Sequence, residues 1–345
     1  MNGQHQSMFD VAIVGGGSMG TALARLLGES GKRVSMWVYE AELADRINES
    51  RVNDLFLPGV TLPPTVTATG SLERALSGVG TVLSVTPAQV TRSVWVRGAQ
   101  HLAEGAAVVS ATKGVETGSA ALMSEVLAEA LPAAAGRLAF LSGPSFATEM
   151  AAGQPTAVVI ASADAGLASR IQQLVSTSSF RAYTTDDVVG VELGGALKNV
   201  IAIAVGVAEG MGLGLNARAA LITRGLAEVT RLAVACGANP LTLAGLAGMG
   251  DLVLTCTGHL SRNLQVGIRL GREERLDAIL GSMHMVAEGI ATARSAMILA
   301  ARHGVEMPIS EAVTRLLDGE VAPGDAVRAL MARPLRSERE RQRVG

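Results

Sequence analysis

Aromatic residues are scarce in this chain: Phe, Trp and Tyr make up 3% of its 345 residues, and no stripe of basic residues runs through it. Binding of single-stranded nucleic acid needs aromatic platforms interleaved with Lys and Arg, so nucleic-acid recognition is unsupported. The formal net charge is only -2, which leaves no global field to draw the protein to acidic polymers or anionic membranes. Two cysteines, Cys236 and Cys256, make neither a disulfide framework nor a metal cluster and fit a reducing cytoplasm. The histidines His5, His101, His259, His284 and His303 show no His-x-x-x-His pair, so no metal is expected. No Gly-x-Ser-x-Gly elbow is present either. The polar start, Met1 to Ser7, is unlike a signal peptide. The most apolar segment, Val188 to Leu215, carries Glu192, Lys198 and Glu209 and reads as protein core rather than as a membrane span.

What the chain does have is enough apolar content, 48%, and enough length for two domains with full cores. Phe9 to Val14 is a short apolar run followed at once by Gly15-Gly16-Gly17-Ser18-Met19-Gly20, a helical stretch from Thr21 to Leu27, and a second strand at Val34 to Val38. The spacing Gly15, Gly17, Gly20 between strand and helix fits a dinucleotide fingerprint: a tight turn, a close backbone approach to pyrophosphate, and close helix packing. The free amides of the helix N-terminus suit the phosphates. Glu40 stands twenty residues after Gly20, where a carboxylate accepts hydrogen bonds from a ribose 2'-hydroxyl and repels a 2'-phosphate. No Lys or Arg occupies Val38, Tyr39 or Glu40. NAD is therefore expected over NADP, although a first-turn helix acid is an equally ordinary use of Glu40.

Strand patterns recur at Thr81 to Val85, Ala106 to Ser110, Leu138 to Leu141, Ala157 to Ile160 and Phe180 to Tyr183, with helical stretches between most of them. This alternation predicts a mainly parallel, doubly wound sheet, whose ligands collect at the carboxyl ends of the strands. Three polar loops stand there: Thr86-Pro87, Ala111-Thr112-Lys113-Gly114, and Ser142-Gly143-Pro144-Ser145-Phe146-Ala147. Lys113 is either a solvated loop lysine or part of the cleft lining. Past Thr185 the strand signal ends. The expected organisation is a dinucleotide-binding Rossmann domain over 1–187, an all-helical substrate domain over 188–332 and a loose charged tail over 333–345.

The first helix of the second half is apolar on every side from Val188 to Ala208, yet it carries Lys198. A buried ammonium is costly unless it is paired or its proton is used, so Lys198 is either a snorkelling lysine or a functional one. Gly195 and Gly194 lie three and four positions before it and imply a close neighbour, either a ligand, with substrate and nicotinamide the expectation, or another packed helix. Asp251, in Gly248-Met-Gly-Asp251, fits a helix N-cap or a partner facing Lys198. Ser261-Arg262-Asn263 at a helix start suits either a surface cap or a phosphate.

Taken together these motifs closely resemble the NAD(P)-dependent glycerol-3-phosphate dehydrogenases of bacterial type. The resemblance runs from about Phe9 to Leu317 and rests on the glycine turn through Gly20, Ala111 to Val115, Gly143 to Ala147, Glu192 to Ile203, Gly248 to Thr257, and Ser261 to Asn263. It implies reversible reduction of dihydroxyacetone phosphate to sn-glycerol 3-phosphate for glycerophospholipid synthesis, in a cytoplasmic homodimer that is not an integral membrane protein. It implies Lys198 as general acid or base and Lys113 between substrate and nicotinamide. Asp251, Ser261, Arg262 and Asn263 are implied on the substrate, Arg262 also near the cofactor, with Asn199 and Thr255 assisting. Gly143 and Ser145 fall at substrate or cofactor positions; Ser18, Met19, Ala147, Val286 and Glu288 match the cofactor side. Met19 stands where an aromatic residue is usual. The Val38-Tyr39 segment lacks the arginine of many bacterial members and is similar to the NAD-specific eukaryotic enzymes.

Overall fold

The computed structural model describes residues 8–283, 286–335 and 337–338. Met1 to Ser7, His284 and most of the charged tail lie outside the described residues. The chain runs β1 (Val11–Val14), α1 (Ser18–Glu29), β2 (Val34–Trp37), α2 (Ala41–Ser50), β3 (Val66–Thr69), α3 (Leu72–Leu76), β4 (Thr81–Ser84), α4 (Ala88–Gly98) and β5 (Ala107–Ser110). It continues through α5 (Met123–Ala130), β6 (Leu138–Ser142), α6 (Ala147–Ala151), β7 (Thr156–Ala161), α7 (Ala165–Val175) and β8 (Phe180–Thr185). From there it is helical: α8 (Val188–Gly210), α9 (Leu215–Ala235), α10 (Pro240–Ala244), α11 (Asp251–Thr257), α12 (Arg262–Gly271), α13 (Leu276–Gly281), α14 (Glu288–Arg302), α15 (Pro308–Leu317) and α16 (Pro323–Met331).

The strands form one sheet in the order β3-β2-β1-β4-β5-β6-β7-β8, parallel throughout except for the antiparallel pair β6–β7. Val11 to Val14 and Val34 to Trp37 are buried at every position, as expected of strands covered by helices on both faces. The sheet is the doubly wound Rossmann-like one that the alternation predicts, with one addition. Strand β3 is a Val-Thr-Ala-Thr segment whose alternating threonines leave no apolar run to stand out in the sequence. Because β1 has β2 on one side and β4 on the other, the chain order reverses at β1, and the crevice at the carboxyl ends of β1 and β4 is the ligand position of such sheets.

Helix α8 is long and apolar enough to cross a membrane, but 78% of its most apolar window is buried inside the protein. Its neighbours are the other helices and the end of β6. At the crossing with α12, a side chain added at Gly206 would meet the Leu264 carbonyl at 2.3 Å, and one at Gly267 would meet the Ile203 carbonyl at 2.2 Å. The two backbones therefore touch.

Helix α8 also ties the helical half to the sheet. Glu192 is buried and accepts the Ser124 backbone N–H at 2.8 Å, at the N-terminus of α5, while its Oε2 has no partner. Desolvation pushes its carboxyl up to about 7, opposed by the Ser124 hydrogen bonds. A carboxyl raised in the folded state stabilises fully below its unfolded value of about 4.5, and that contribution is lost as pH rises through about 7. Glu192→Gln is therefore expected to leave thermal stability at pH 5 nearly unchanged and to raise it by about 1–2 kcal/mol at pH 8. Equal effects at the two pH values would contradict an ionised, uncompensated Glu192.

Candidate active site

The centre of the cleft is one carboxylate between two ammonium groups. Asp251 is 1% exposed; its Oδ1 accepts from Lys198 Nζ at 2.5 Å and its Oδ2 from Lys113 Nζ at 2.6 Å. Lys198 comes from the middle of α8, Lys113 from the loop after β5, and Asp251 from the first position of α11. Asp251 is thus a residue of the helix and not its N-cap. The cap position is Gly250, and the Asp251 side chain makes no capping bond because both oxygens are committed to the lysines. The chain reaches this geometry through a π-helical turn over Leu246–Gly250, closed by the Gly250 N–H on the Gly245 carbonyl at 3.0 Å.

Lys198 also donates to Thr255 Oγ1 at 2.8 Å, and that hydroxyl donates to the Asp251 carbonyl at 2.6 Å. With three N–H donors, Lys198 keeps one uncommitted. Burial brings its pKa down to about 8, helped by the charge of Lys113 and opposed by that of Asp251. Asp251 and Thr255 hold this ammonium inside the cleft, so it does not snorkel to solvent. Lys113 donates its second hydrogen bond to the Gly143 carbonyl at 3.0 Å, and the same carbonyl accepts from Ser145 Oγ at 2.9 Å. Gly143 has φ +139 with Val158 Cα at 2.9 Å from where a Cβ would stand, so only glycine presents this carbonyl.

Gly194 and Gly195 make room for protein, contrary to the expectation that substrate and nicotinamide approach there. A Cβ on Gly195 would meet Ser142 Oγ at 2.6 Å and the Lys113 stem at 3.7 Å; one on Gly194 would meet the Ala247 carbonyl at 2.6 Å. These glycines let β6 and the π-helical turn close on α8.

Next to the lysines, Asn263 donates to Asn199 Oδ1 at 2.9 Å and accepts the Gly289 N–H at 3.0 Å, which joins α8, α12 and α14. Ser261 caps α12, its hydroxyl accepting the Leu264 N–H at 3.2 Å. Arg262, at the first position of α12, makes no hydrogen bond or ion pair with any described residue. Desolvation lowers its pKa and the Glu288 charge opposes this, while the residue as a whole remains exposed at the cleft. Glu288 in turn accepts the Ala88 N–H at the start of α4 at 3.1 Å. Desolvation pushes its carboxyl up to about 7, against the pull of that amide, Arg262 and both lysines. Val286, just before it, is exposed.

On the other side of the crevice, Gly15 has φ +124 and lies against the Val85 carbonyl, and Gly20 packs against Gly15. Gly17 faces open space. The first turn of α1 holds no acidic residue, and its leading amides lack intrahelical acceptors. Ser18 Oγ donates to the Phe56 carbonyl at 2.6 Å; Met19 and Ala147 pack on the sheet core. Tyr39 is 74% exposed, and the Glu40 side chain makes no capping bond to α2, leaving it open to a ligand. An open glycine turn, unclaimed helix amides and an unclaimed carboxylate at the end of β2 fit a dinucleotide: phosphates on the amides, ribose hydroxyls on Glu40. Among the described residues no group of three or more His, Cys, Asp or Glu side chains is placed to hold a metal ion.

The sequence reading missed Asn53, which is fully buried under the glycine turn. An asparagine in a Pro- and Gly-containing loop reads as a turn former, and nothing local distinguishes this one.

Residues 10–168 match the N-terminal, and residues 187–328 the C-terminal, part of the NAD-dependent glycerol-3-phosphate dehydrogenase family. A glycerol-3-phosphate dehydrogenase [NAD(P)+] of Geobacter sulfurreducens is 53% identical over 330 residues, covering 95% of this chain and 98% of that protein. The crystal structure of glycerol-3-phosphate dehydrogenase from Coxiella burnetii superposes with a TM-score of 0.90 at 39% identity, covering 94% of this chain and 99% of that one. A ketopantoate reductase from Ralstonia eutropha, at 17% identity and a TM-score of 0.60, shares the fold alone. The chain belongs to the NAD-dependent glycerol-3-phosphate dehydrogenase family.

Proposed function

We propose that this protein catalyses the reversible NAD(P)H-dependent reduction of dihydroxyacetone phosphate to sn-glycerol 3-phosphate, with Lys198 as general acid in that direction and general base in the other. The observation that carries this reading is the single buried carboxylate of Asp251 shared by Lys198 and Lys113 at the carboxyl edge of the sheet.

A dinucleotide held by the glycine-turn amides and Glu40 would supply the hydride from its nicotinamide. Reduction of a ketone builds negative charge on its oxygen, and the uncommitted N–H of Lys198 gives that oxygen its proton. Lys113 adds positive potential beside it. Asp251 keeps both ammonium groups in place, and Thr255 fixes the approach of Lys198. Arg262, Ser261 and Asn263 at the positive end of α12 hold the substrate phosphate, so remote binding energy orients the carbonyl. Asn199 supports Asn263, and Gly143 and Ser145 hold Lys113 on its other side. Gly15, Gly17, Ser18, Met19, Gly20, Tyr39, Glu40, Ala147, Val286 and Glu288 form the cofactor side. Division near residue 187, into a dinucleotide domain and a helical substrate domain, completes the reading. In the cell the enzyme supplies glycerophospholipid synthesis from the cytoplasm, in keeping with two free thiols. A homodimer follows from the family resemblance alone.

The test is a steady-state assay of dihydroxyacetone phosphate with each cofactor, paired with direct titration. Oxidation of NADH is expected, with a lower Kd for NADH than for NADPH because Glu40 repels the 2'-phosphate. No turnover with either cofactor would overturn the activity; a lower Kd for NADPH would overturn the role of Glu40. Arg262→Ala is expected to raise KM for dihydroxyacetone phosphate about 10- to 100-fold, the worth of a charge-assisted hydrogen-bond pair, while the Kd of NADH changes less than about threefold. Equal losses on both would contradict a phosphate anchor.

A further inference from the structure

Asn53 lies in the loop between α2 and β3, more than thirty residues from the glycine turn, and is 0% exposed. Its Nδ2 donates to the Gly16 carbonyl at 2.7 Å and to Thr21 Oγ1 at 2.8 Å. Its Oδ1 accepts the Phe56 N–H at 3.1 Å. Thr21, buried inside α1, leans its hydroxyl on the same Gly16 carbonyl at 3.3 Å, and the Phe56 carbonyl accepts from Ser18 Oγ at 2.6 Å. One side chain thus ties together the carbonyl in the middle of the glycine turn, the first turn of α1, and the backbone of its own loop.

The Gly16 peptide joins the turn to Gly17, the residue that faces open space at the N-terminus of α1. The direction of the Gly16 carbonyl fixes the plane of the Gly16–Gly17 peptide, and hence where the Gly17 N–H points. Glycines alone do not set that plane, because they populate several backbone regions with similar ease. A buried donor that reaches the Gly16 carbonyl does. Were it removed, the Phe56 N–H would lose its side-chain partner and the Gly16 carbonyl would keep only the longer Thr21 hydroxyl bond at 3.3 Å, a cost relieved by rotating the turn.

We infer that Asn53 is a positioning residue for dinucleotide binding: through the Gly16 carbonyl and Thr21 it presets the amides of the glycine turn for the pyrophosphate. This rests on the reading of the turn as the dinucleotide site. It also gives the loop of Asn53 and Phe56 a part in cofactor affinity, since the Ser18 hydroxyl stays committed to the Phe56 carbonyl only while Asn53 holds that loop. The substrate end of the cleft, built from α8, α11 and α12, has no hydrogen bond to Asn53.

The test uses Asn53→Leu, of similar shape and uncharged, and Thr21→Val, which removes only the hydroxyl. NADH binding is followed by direct fluorescence titration and turnover by steady-state kinetics on the full chain. Asn53→Leu is expected to raise the Kd of NADH about 10- to 100-fold, and Thr21→Val about threefold. KM for dihydroxyacetone phosphate at saturating NADH should move less than about twofold in both, a split that general loss of structure does not produce. A folded Asn53→Leu protein that binds NADH within twofold of the wild type overturns the inference, as does a parallel rise in both constants. Should Asn53→Leu fail to fold, Thr21→Val decides: an unchanged NADH Kd overturns the inference, and a selective rise supports it. Wild-type protein that binds no NADH would instead refute the dinucleotide reading itself.

Discussion

Lys198→Ala is expected to lower kcat for reduction of dihydroxyacetone phosphate by at least about 10³-fold, within the range of a lost general acid. The fold should survive, because Asp251 keeps Lys113 as its counter-ion at 2.6 Å and the variant no longer desolvates a second ammonium group. Lys198→Arg separates charge from proton transfer. A guanidinium retains the positive potential, but its pKa lies far above the working pH and makes it a poor proton donor, so this variant should also be slow. Small primary amines added to Lys198→Ala should restore part of the rate by entering the vacated space. Steady-state kinetics of both variants checks this, and a kcat within about tenfold of wild type in either would remove Lys198 from the chemistry.

Asp251→Asn should act on stability and activity together. It leaves two ammonium groups in one cleft without the carboxylate that bonds both of them; breaking a buried pair by removing one partner costs about 3–5 kcal/mol. The sign of the titration effect follows from the contacts. The Asp251 charge raises the pKa of Lys198, and that of Lys113 lowers it. Removing the first drives the pKa below about 8, so the alkaline fall of the reduction rate should move to lower pH. Thermal unfolding and a pH–rate profile measure the two effects. A stable variant with an unmoved profile would contradict the placement of Asp251.

These contacts explain which parts of the molecule are legible in the sequence. The β1–α1–β2 unit is readable because its signals are local: an apolar strand, three spaced glycines and a helix start lie within two dozen residues. Lys198 is readable as an anomaly, a lysine in a helix that is apolar all round. Asp251 is not readable as the bridge. Its partners lie 53 and 138 residues away, and its local setting suits a helix cap equally well. Gly194 and Gly195 announce a close neighbour without naming it, and the neighbours are Ser142 and Ala247. Glu192 reads as an ordinary polar interruption until the fold brings the N-terminus of α5 to it. Asn53 is the same case in a loop. Distant polar partners chosen by tertiary packing leave no periodic trace, whereas strands, helices and glycine turns do.

The proton that Lys198 holds is the centre of the proposed chemistry. The measurement is the pH dependence of the single-turnover rate of dihydroxyacetone phosphate reduction at saturating NADH, from pH 6 to 10. The rate should be level at low pH and fall with one-proton slope above pH about 8, and the reverse oxidation should rise through the same point. A rate that stays flat across this range in both directions would contradict Lys198 as the acid and base of the reaction.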